Sequence, residues 1–237
     1  MVAGFFEPDP HSAFETALGA TVLPAVEEIR PETFLPSSRS IAFRKQVWND
    51  VGGYPEWLDY CEDLIFDLNF RRLRGVRVMF EPRATVRFRP RSSLRAFFRQ
   101  YFRYARGDGK ADLWRKRHAL RYGAYLHLLA TLACLFSPRA RRHNGALAYF
   151  TVSSALGSAA YLWKPLRRLL QVAPHASAGE LACMLAPLPL IRLTGDVAKM
   201  AGYPAGWVWR LRRSYADGES GETGTAARPV PAQEAIL

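Results

Sequence analysis

Cysteine is scarce in this chain and poorly spaced for a structural role. The three cysteines, Cys61, Cys134 and Cys183, are odd in number, far apart, and include no C-x-x-C pair. That argues against a disulfide framework and a thiolate zinc site, and it suits a reducing compartment. Acidic residues are thin in one stretch: between Arg71 and Arg121 they are limited to Glu81, Asp108 and Asp112. No internal repeat is found, and residues 1–8 lack the basic start and long apolar run of a signal peptide. The chain is instead rich in positive charge and apolar bulk. Its formal net charge is +12, and 49% of its 237 residues are hydrophobic. The length accommodates one large domain, or one domain with appendages. The charge predicts an anionic partner: nucleic acid, lipid headgroups or a diphosphate substrate.

The order of local signals predicts an α/β fold over residues 1–110. Residues 2–6 form a buried strand stopped at Pro8, and residues 12–17 a short helix. A Pro- and Glu-rich loop over 27–38 leads to a short strand at 40–43 and a helix at 45–51, which Gly52 and Gly53 end. Asp59 and Glu62 have the spacing of a capping box for a helix reaching residue 73, with Asp67 placed to pair with Arg71 one turn on. Gly75 closes it. Two strands follow, at 76–80 (ended by Pro82) and 84–88. Ser92 or Ser93 then caps a helix to about Arg106, with Phe97, Phe98, Tyr101 and Phe102 as its apolar stripe and Gly107-Asp108-Gly109 as its stop.

Beyond residue 110 the pattern becomes helical and lipid-like. Residues 144–163 are charge-free and long enough to cross a bilayer core; residues 121–137 are marginal by that measure, and 181–190 are too short and broken by Pro187 and Pro189. Basic residues flank every end, at Arg115, Lys116 and Arg117, at Arg139, Arg141 and Arg142, and at Lys164, Arg167 and Arg168, so charge assigns no topology. Helices lying in the interface accept such flanks equally well. The expected organisation is a domain at 1–110, membrane-associated or interfacial helices at 111–213, and a disordered tail at 214–237.

Three groups of residues suggest chemistry. Glu62 and Asp63 put adjacent carboxylates at a helix start, where one can act as a base beside the other; first-turn acids that merely complement the helix dipole have the same pattern. Gln100, Arg103 and Tyr104 share a turn, offering an amide, a guanidinium suited to a diphosphate, and a ring that can stack on a sugar; a solvated arginine face reads alike. Ser37, Ser38, Arg39 and Ser40 form a polar approach that lines the same cleft or is a simple turn.

In order and spacing, Pro36-Ser37-Ser38-Arg39-Ser40-Ile41-Ala42-Phe43-Arg44, Val51-Gly52-Gly53-Tyr54-Pro55-Glu56, Glu62-Asp63, Arg71-Arg72-Leu73-Arg74-Gly75 and Gln100-x-x-Arg103-Tyr104 resemble the second half of a family 2 glycosyltransferase of the GT-A fold. The resemblance covers about residues 1–110, and residues 196–204 resemble a C-terminal feature of membrane-associated bacterial members. It implies a partial GT-A-like mixed sheet with flanking helices, followed by an α-helical membrane-associated region. It implies Asp63 as general base with Glu62 beside it, and Gln100, Arg103, Tyr104, Ser38, Arg39 and Gly53 as substrate-binding residues. Tyr104 stands where the family has Trp. The implied substrates are a nucleotide-diphosphate sugar and a glycan or lipid-linked acceptor, at a membrane with the active side cytoplasmic. A divalent metal (Mg or Mn) is implied by the family alone. This sequence has no D-x-D motif, and Arg87-Phe88-Arg89-Pro90 carries no His, so no metal ligand is assigned in it. The donor-binding half is expected from a separate polypeptide or from residues outside this sequence. Two other functions stay open: a basic nucleic-acid-binding module, disfavoured because the aromatics fall on a core stripe, and a catalytically inactive membrane scaffold.

Overall fold

The computed structural model describes residues 1–73, 75–137 and 144–219. It is a mixed α/β structure, mostly helical, around a small three-stranded sheet. β1 (Val2–Pro8) is central, with β2 (Ile41–Ala42) antiparallel on one side and β3 (Met79–Phe88) parallel on the other. The two strands expected at 76–80 and 84–88 are one strand. Its register to β1 jumps between Phe80 and Thr85, so Pro82 falls in the irregular stretch, where no ladder N–H is required of it.

α1 (Ala13–Val22) starts where Ser12 accepts the Glu15 N–H, and it runs further than expected. Its Glu15 is buried and held by Arg89 at 3.0 Å, which ties α1 to the end of β3. α2 (Lys45–Val51) ends at Gly52 with φ 84°, as the double glycine indicates. α3 (Glu62–Arg72) departs from expectation at its start. No capping box forms: Cys61, at φ 69°, precedes the helix without a side-chain cap, and Asp59 pairs instead with Arg106 at 2.6 Å and Lys110 at 3.1 Å. Two cations attract a carboxylate more strongly than one amide does. The expected Asp67–Arg71 pair is also missing, because Arg71 turns to the carbonyls of Pro31, Glu32 and Phe34 and fastens that loop.

α4 (Leu94–Lys110), capped by Ser93, does not stop at Gly107-Asp108-Gly109. α8 (Leu188–Glu219) packs along it so closely that the glycines are needed for space. A Cβ on Gly206 would lie 2.0 Å from the Arg106 carbonyl oxygen, one on Gly202 2.3 Å from that of Phe102, and one on Gly109 2.2 Å from that of Tyr203. Between them lie α5 (Arg115–Phe136), α6 (Asn144–Val172) and α7 (Ala178–Leu185). The N-terminal domain and the later helices share a core, in which Ala17, Leu18 and Phe97 pack with Leu169, Leu188 and Ile191. Burial of a side chain such as Phe97 contributes about 1.5–3 kcal/mol.

Among the described residues, two helical segments are long and apolar enough to span a membrane, Arg115–Phe136 and Ala178–Arg213. The first is longer than the marginal run read from sequence. The second joins α7 to α8 across a turn at residues 186–187 that includes Pro187, and Pro189 occupies the first turn of α8, where no helical N–H bond is lost. Residues 144–163, the span preferred from sequence, form part of α6. α5 exposes Leu126, Leu129 and Phe136, and α6 exposes Val152, Leu156 and Trp163. The basic cluster at Arg139, Arg141 and Arg142 lies outside the described residues. So does most of the expected tail, since α8 runs to Glu219, past the boundary expected at 214.

The close α4–α8 contact makes a testable contrast. Gly206→Ala should destabilise the protein by about 1–3 kcal/mol through overpacking. Gly123→Ala, where an added Cβ meets nothing within 4 Å, should stabilise it by up to about 1 kcal/mol through helix propensity. Thermal unfolding of both variants in one detergent checks the contrast, and equal midpoints would remove the steric argument.

Candidate functional site

A cleft of about 690 Å³ opens between β1, α1, the end of β3, the 35–39 loop, the start of α3, one face of α4, the start of α5, and Lys199 on α8. The turn that precedes α3 packs closely on α4. Gly107 lies under Tyr60 and Cys61, and a Cβ there would come 2.5 Å from the Tyr60 carbonyl oxygen and 2.8 Å from the Cys61 sulfur. The Cys61 thiol donates to the Tyr104 carbonyl oxygen at 3.3 Å and to Asp108 at 3.6 Å. Burial, reinforced by Asp108, pushes this thiol far above its ordinary range, so it is a packing group and not a nucleophile.

Asp63 and Glu62 both face the cleft. One Asp63 oxygen accepts the Ser38 N–H at 3.4 Å and the other the Leu64 N–H at 2.9 Å, which fixes the carboxylate across from α4. On α4, Gln100 and Tyr104 lie one turn apart and bond to each other, Nε2 to the hydroxyl at 2.7 Å, while Arg91 donates to Gln100 Oε1 at 3.0 Å. Arg39 lies over the stacked rings of Phe6 and Phe88, with its guanidinium carbon 5.8 and 5.9 Å from their centroids. Ser38, Arg39, Glu62, Asp63, Gln100 and Tyr104 therefore line one cavity.

Two residues expected in the site lie elsewhere. Arg103 is exposed and does not line the cleft; it donates to the Tyr60 hydroxyl at 2.8 Å, and it is Tyr60 that faces the cavity. Gly53 lies beneath the Trp48 ring, where a Cβ would come within 2.8 Å of it, and has φ 70°.

Sequence reasoning overlooked the far wall. Asp108, Arg117, His118, Arg121 and Lys199 all line the cleft. His118 is buried, stacked on Tyr203 with centroids 3.9 Å apart. Its Nε2 is 3.2 Å from Asp108, and its Nδ1 is 3.3 Å from the Arg121 guanidinium. Because Arg121 can only donate, Nδ1 accepts and Nε2 carries the hydrogen given to Asp108. Arg121 also pairs with Asp196 at 2.8 Å. The i, i+4, i+8 spacing of Gln100, Tyr104 and Asp108 was the available signal, obscured by taking the glycines around Asp108 as a helix stop.

Among the described residues, no group of three or more His, Cys, Asp or Glu side chains converges as a metal cage. The divalent ion implied by the family resemblance is therefore assigned no ligand among the described residues, and no step below is routed through it.

One acid below the site is out of balance. Asp67 is buried, both its oxygens lack hydrogen-bond partners among the described residues, and desolvation together with nearby Asp63 raises its pKa to about 8. The folded form therefore binds more protons than the unfolded one between about pH 4 and 8. Stability should fall as pH rises through that window. Asp67→Asn should flatten the slope and raise the unfolding midpoint at pH 7.5, by about 1–3 kcal/mol in stability. Unfolding curves from pH 5 to 8 test this, and an unchanged slope in the variant would show Asp67 to be ionised throughout.

A scan of protein-family models, a search of curated proteins and a search of solved structures each find no significant match to this chain.

Proposed function

We propose that this chain supplies the acceptor side of an inverting family 2 glycosyltransferase, which transfers a sugar from a nucleotide-diphosphate donor to an acceptor hydroxyl at a membrane. The observation that carries the proposal is the pairing, in one cleft, of the Glu62–Asp63 carboxylates with a wall of cations from Arg39, Arg117, Arg121 and Lys199. Transfer needs a base for the acceptor proton and positive charge for the leaving diphosphate, and this cavity contains both. Asp63, held by Ser38 and Leu64, takes the proton from the acceptor hydroxyl. The hydroxyl oxygen attacks the anomeric carbon from the side opposite the diphosphate. The bond to the leaving oxygen breaks, and the nucleoside diphosphate departs with the electron pair. Glu62 orients the acceptor, and Tyr104, fixed by Gln100, offers its ring to a sugar.

Arg103 acts through Tyr60 in this scheme, and Gly53 through the packing of Trp48. A donor-binding unit, joined to this chain or separate, completes the site; the acceptor is a glycan or a lipid-linked sugar of a polysaccharide pathway. Membrane association is supported by the apolar α5 and α6 surfaces, with the cleft on the cytoplasmic side. A nucleic-acid partner is less favoured, because Phe97 is buried in the core and not presented to bases.

The test is release of nucleoside diphosphate from a panel of nucleotide-diphosphate sugars by membranes that contain the native protein. Asp63→Asn should lower the rate by about 10²–10⁴-fold, the usual contribution of a general base. Glu62→Gln should cost less and act mainly on acceptor KM. Turnover unchanged in Asp63→Asn overturns the assignment, and no turnover with any donor in membranes that also supply the donor-binding unit assigns the chain to a non-reacting membrane scaffold.

A further inference from the structure

A second cavity, of about 630 Å³, lies away from the carboxylate pair, between the end of α1, the middle of α6 and the start of α8. Its polar lining is cationic: Lys164 and Arg168 come from α6 and Arg192 from α8. Arg168 is already engaged, with its Nε 2.8 Å from Glu28 and a further bond to the Ala20 carbonyl oxygen. Arg192 is not neutralised in the same way. Its guanidinium lies over the Tyr161 ring at 3.6 Å, and its Nε is buried with no hydrogen-bond partner among the described residues. Asp196, one turn along α8, does not relieve it, because that carboxylate is taken by Arg121 and by the hydroxyls of Tyr125 and Tyr161. Lys164 is exposed at the rim and feels Glu28 only electrostatically.

A buried guanidinium N–H without an acceptor is costly, and an anion that supplies one removes the cost. The cavity also has an apolar border. Gly157 and Ala160 line it with no side chain beyond a methyl, while Leu156 and Trp163, the residues preceding Gly157 and Lys164, are exposed on the same helix. An anionic group inside and a hydrocarbon chain along α6 fit this arrangement together. We propose that Lys164 and Arg192 form a binding site for a phosphate group, carried by a lipid headgroup or free in solution. The site stands independently of sugar transfer, since Lys164 and Arg192 do not line the Asp63 cleft and its readout is binding.

The experiment uses the full chain in detergent with nanodiscs of phosphatidylcholine alone, with added phosphatidic acid, or with oleate adjusted to the same surface charge. Wild type should bind the phosphatidic acid discs more tightly than the oleate discs. Lys164→Gln and Arg192→Gln should each weaken that binding by about tenfold, as expected for loss of a hydrogen bond to a charged group. Arg167→Gln, a neighbouring exposed cation outside the cavity, should change it by less than about twofold, the cost of one surface charge. Inorganic phosphate identifies the source: displacement by it assigns the site to a free anion, and retention of the lipid in its presence assigns it to a headgroup. Equal binding to oleate discs, or equal losses in Arg167→Gln and Lys164→Gln, overturns the proposal. Arg192→Gln is judged only if its unfolding midpoint matches the wild type, and Lys164→Gln, at the rim, decides the matter on its own.

Discussion

The contact between α4 and α8 sets the rest of the structure. Glycines on both helices let their backbones approach within the reach of a missing Cβ, and this fixes the two axes relative to each other. One face of α4 then meets α8, and another presents Gln100, Tyr104 and Asp108 to the cleft. α8 in turn delivers Lys199 to the same cavity and Tyr203 to the face of His118. Gly107 repeats the device on the side of α3, bringing the Cys61 turn, and with it Glu62 and Asp63, against the opposite edge. The carboxylates and the cations therefore face each other because of residues that have no side chain.

Electrostatics inside this frame are closely balanced. The exposed Asp59 carboxyl is held below its ordinary range, chiefly by the hydrogen bond from Lys110, so it stays charged and locks the α3–α4 corner. Asp67, one turn beyond Asp63, is pushed the other way by burial and by the Asp63 charge. A neutral acid there spares Asp63 a second buried negative charge on its own helix. On the far wall, Asp108 accepts from His118 and Asp196 pairs with Arg121, while Lys199 lies over the Tyr101 ring at 4.8 Å. The cleft thus carries charges of both signs, with Glu62 and Asp63 at the start of α3 and Asp108 among the cations of the far wall.

The later helices divide their surfaces between packed faces and exposed apolar ones. α8 has one face covered by α4, and its Leu190, Leu193, Val197 and Val208 remain exposed. α5 and α6 expose apolar side chains over most of their length, and α6 carries Lys164 and Arg168 at the edge of a cationic cavity. Such a division suits a body resting on or in a bilayer, with its charged cavities held at the level of the headgroups.

Local chemistry made part of this legible. Ser12 and Ser93 cap helices, Gly52 ends one, and residues 2–6 lie in a central strand, each because the deciding interaction spans only a few residues. Charge and apolar runs likewise marked a basic chain with lipid-compatible helices. Other features depended on partners distant in sequence. Asp59 had the spacing of a cap but found Arg106 and Lys110, and Arg71 left Asp67 for three loop carbonyls. Glycines around Asp108 are written identically whether they stop a helix or admit another, and only the arrival of α8 selects the second meaning. Sequence by itself determined the elements and the kinds of charge available. Tertiary packing decided which charges meet, because a side chain's partner is chosen by the strongest field within reach, and that reach is measured in space and not along the chain.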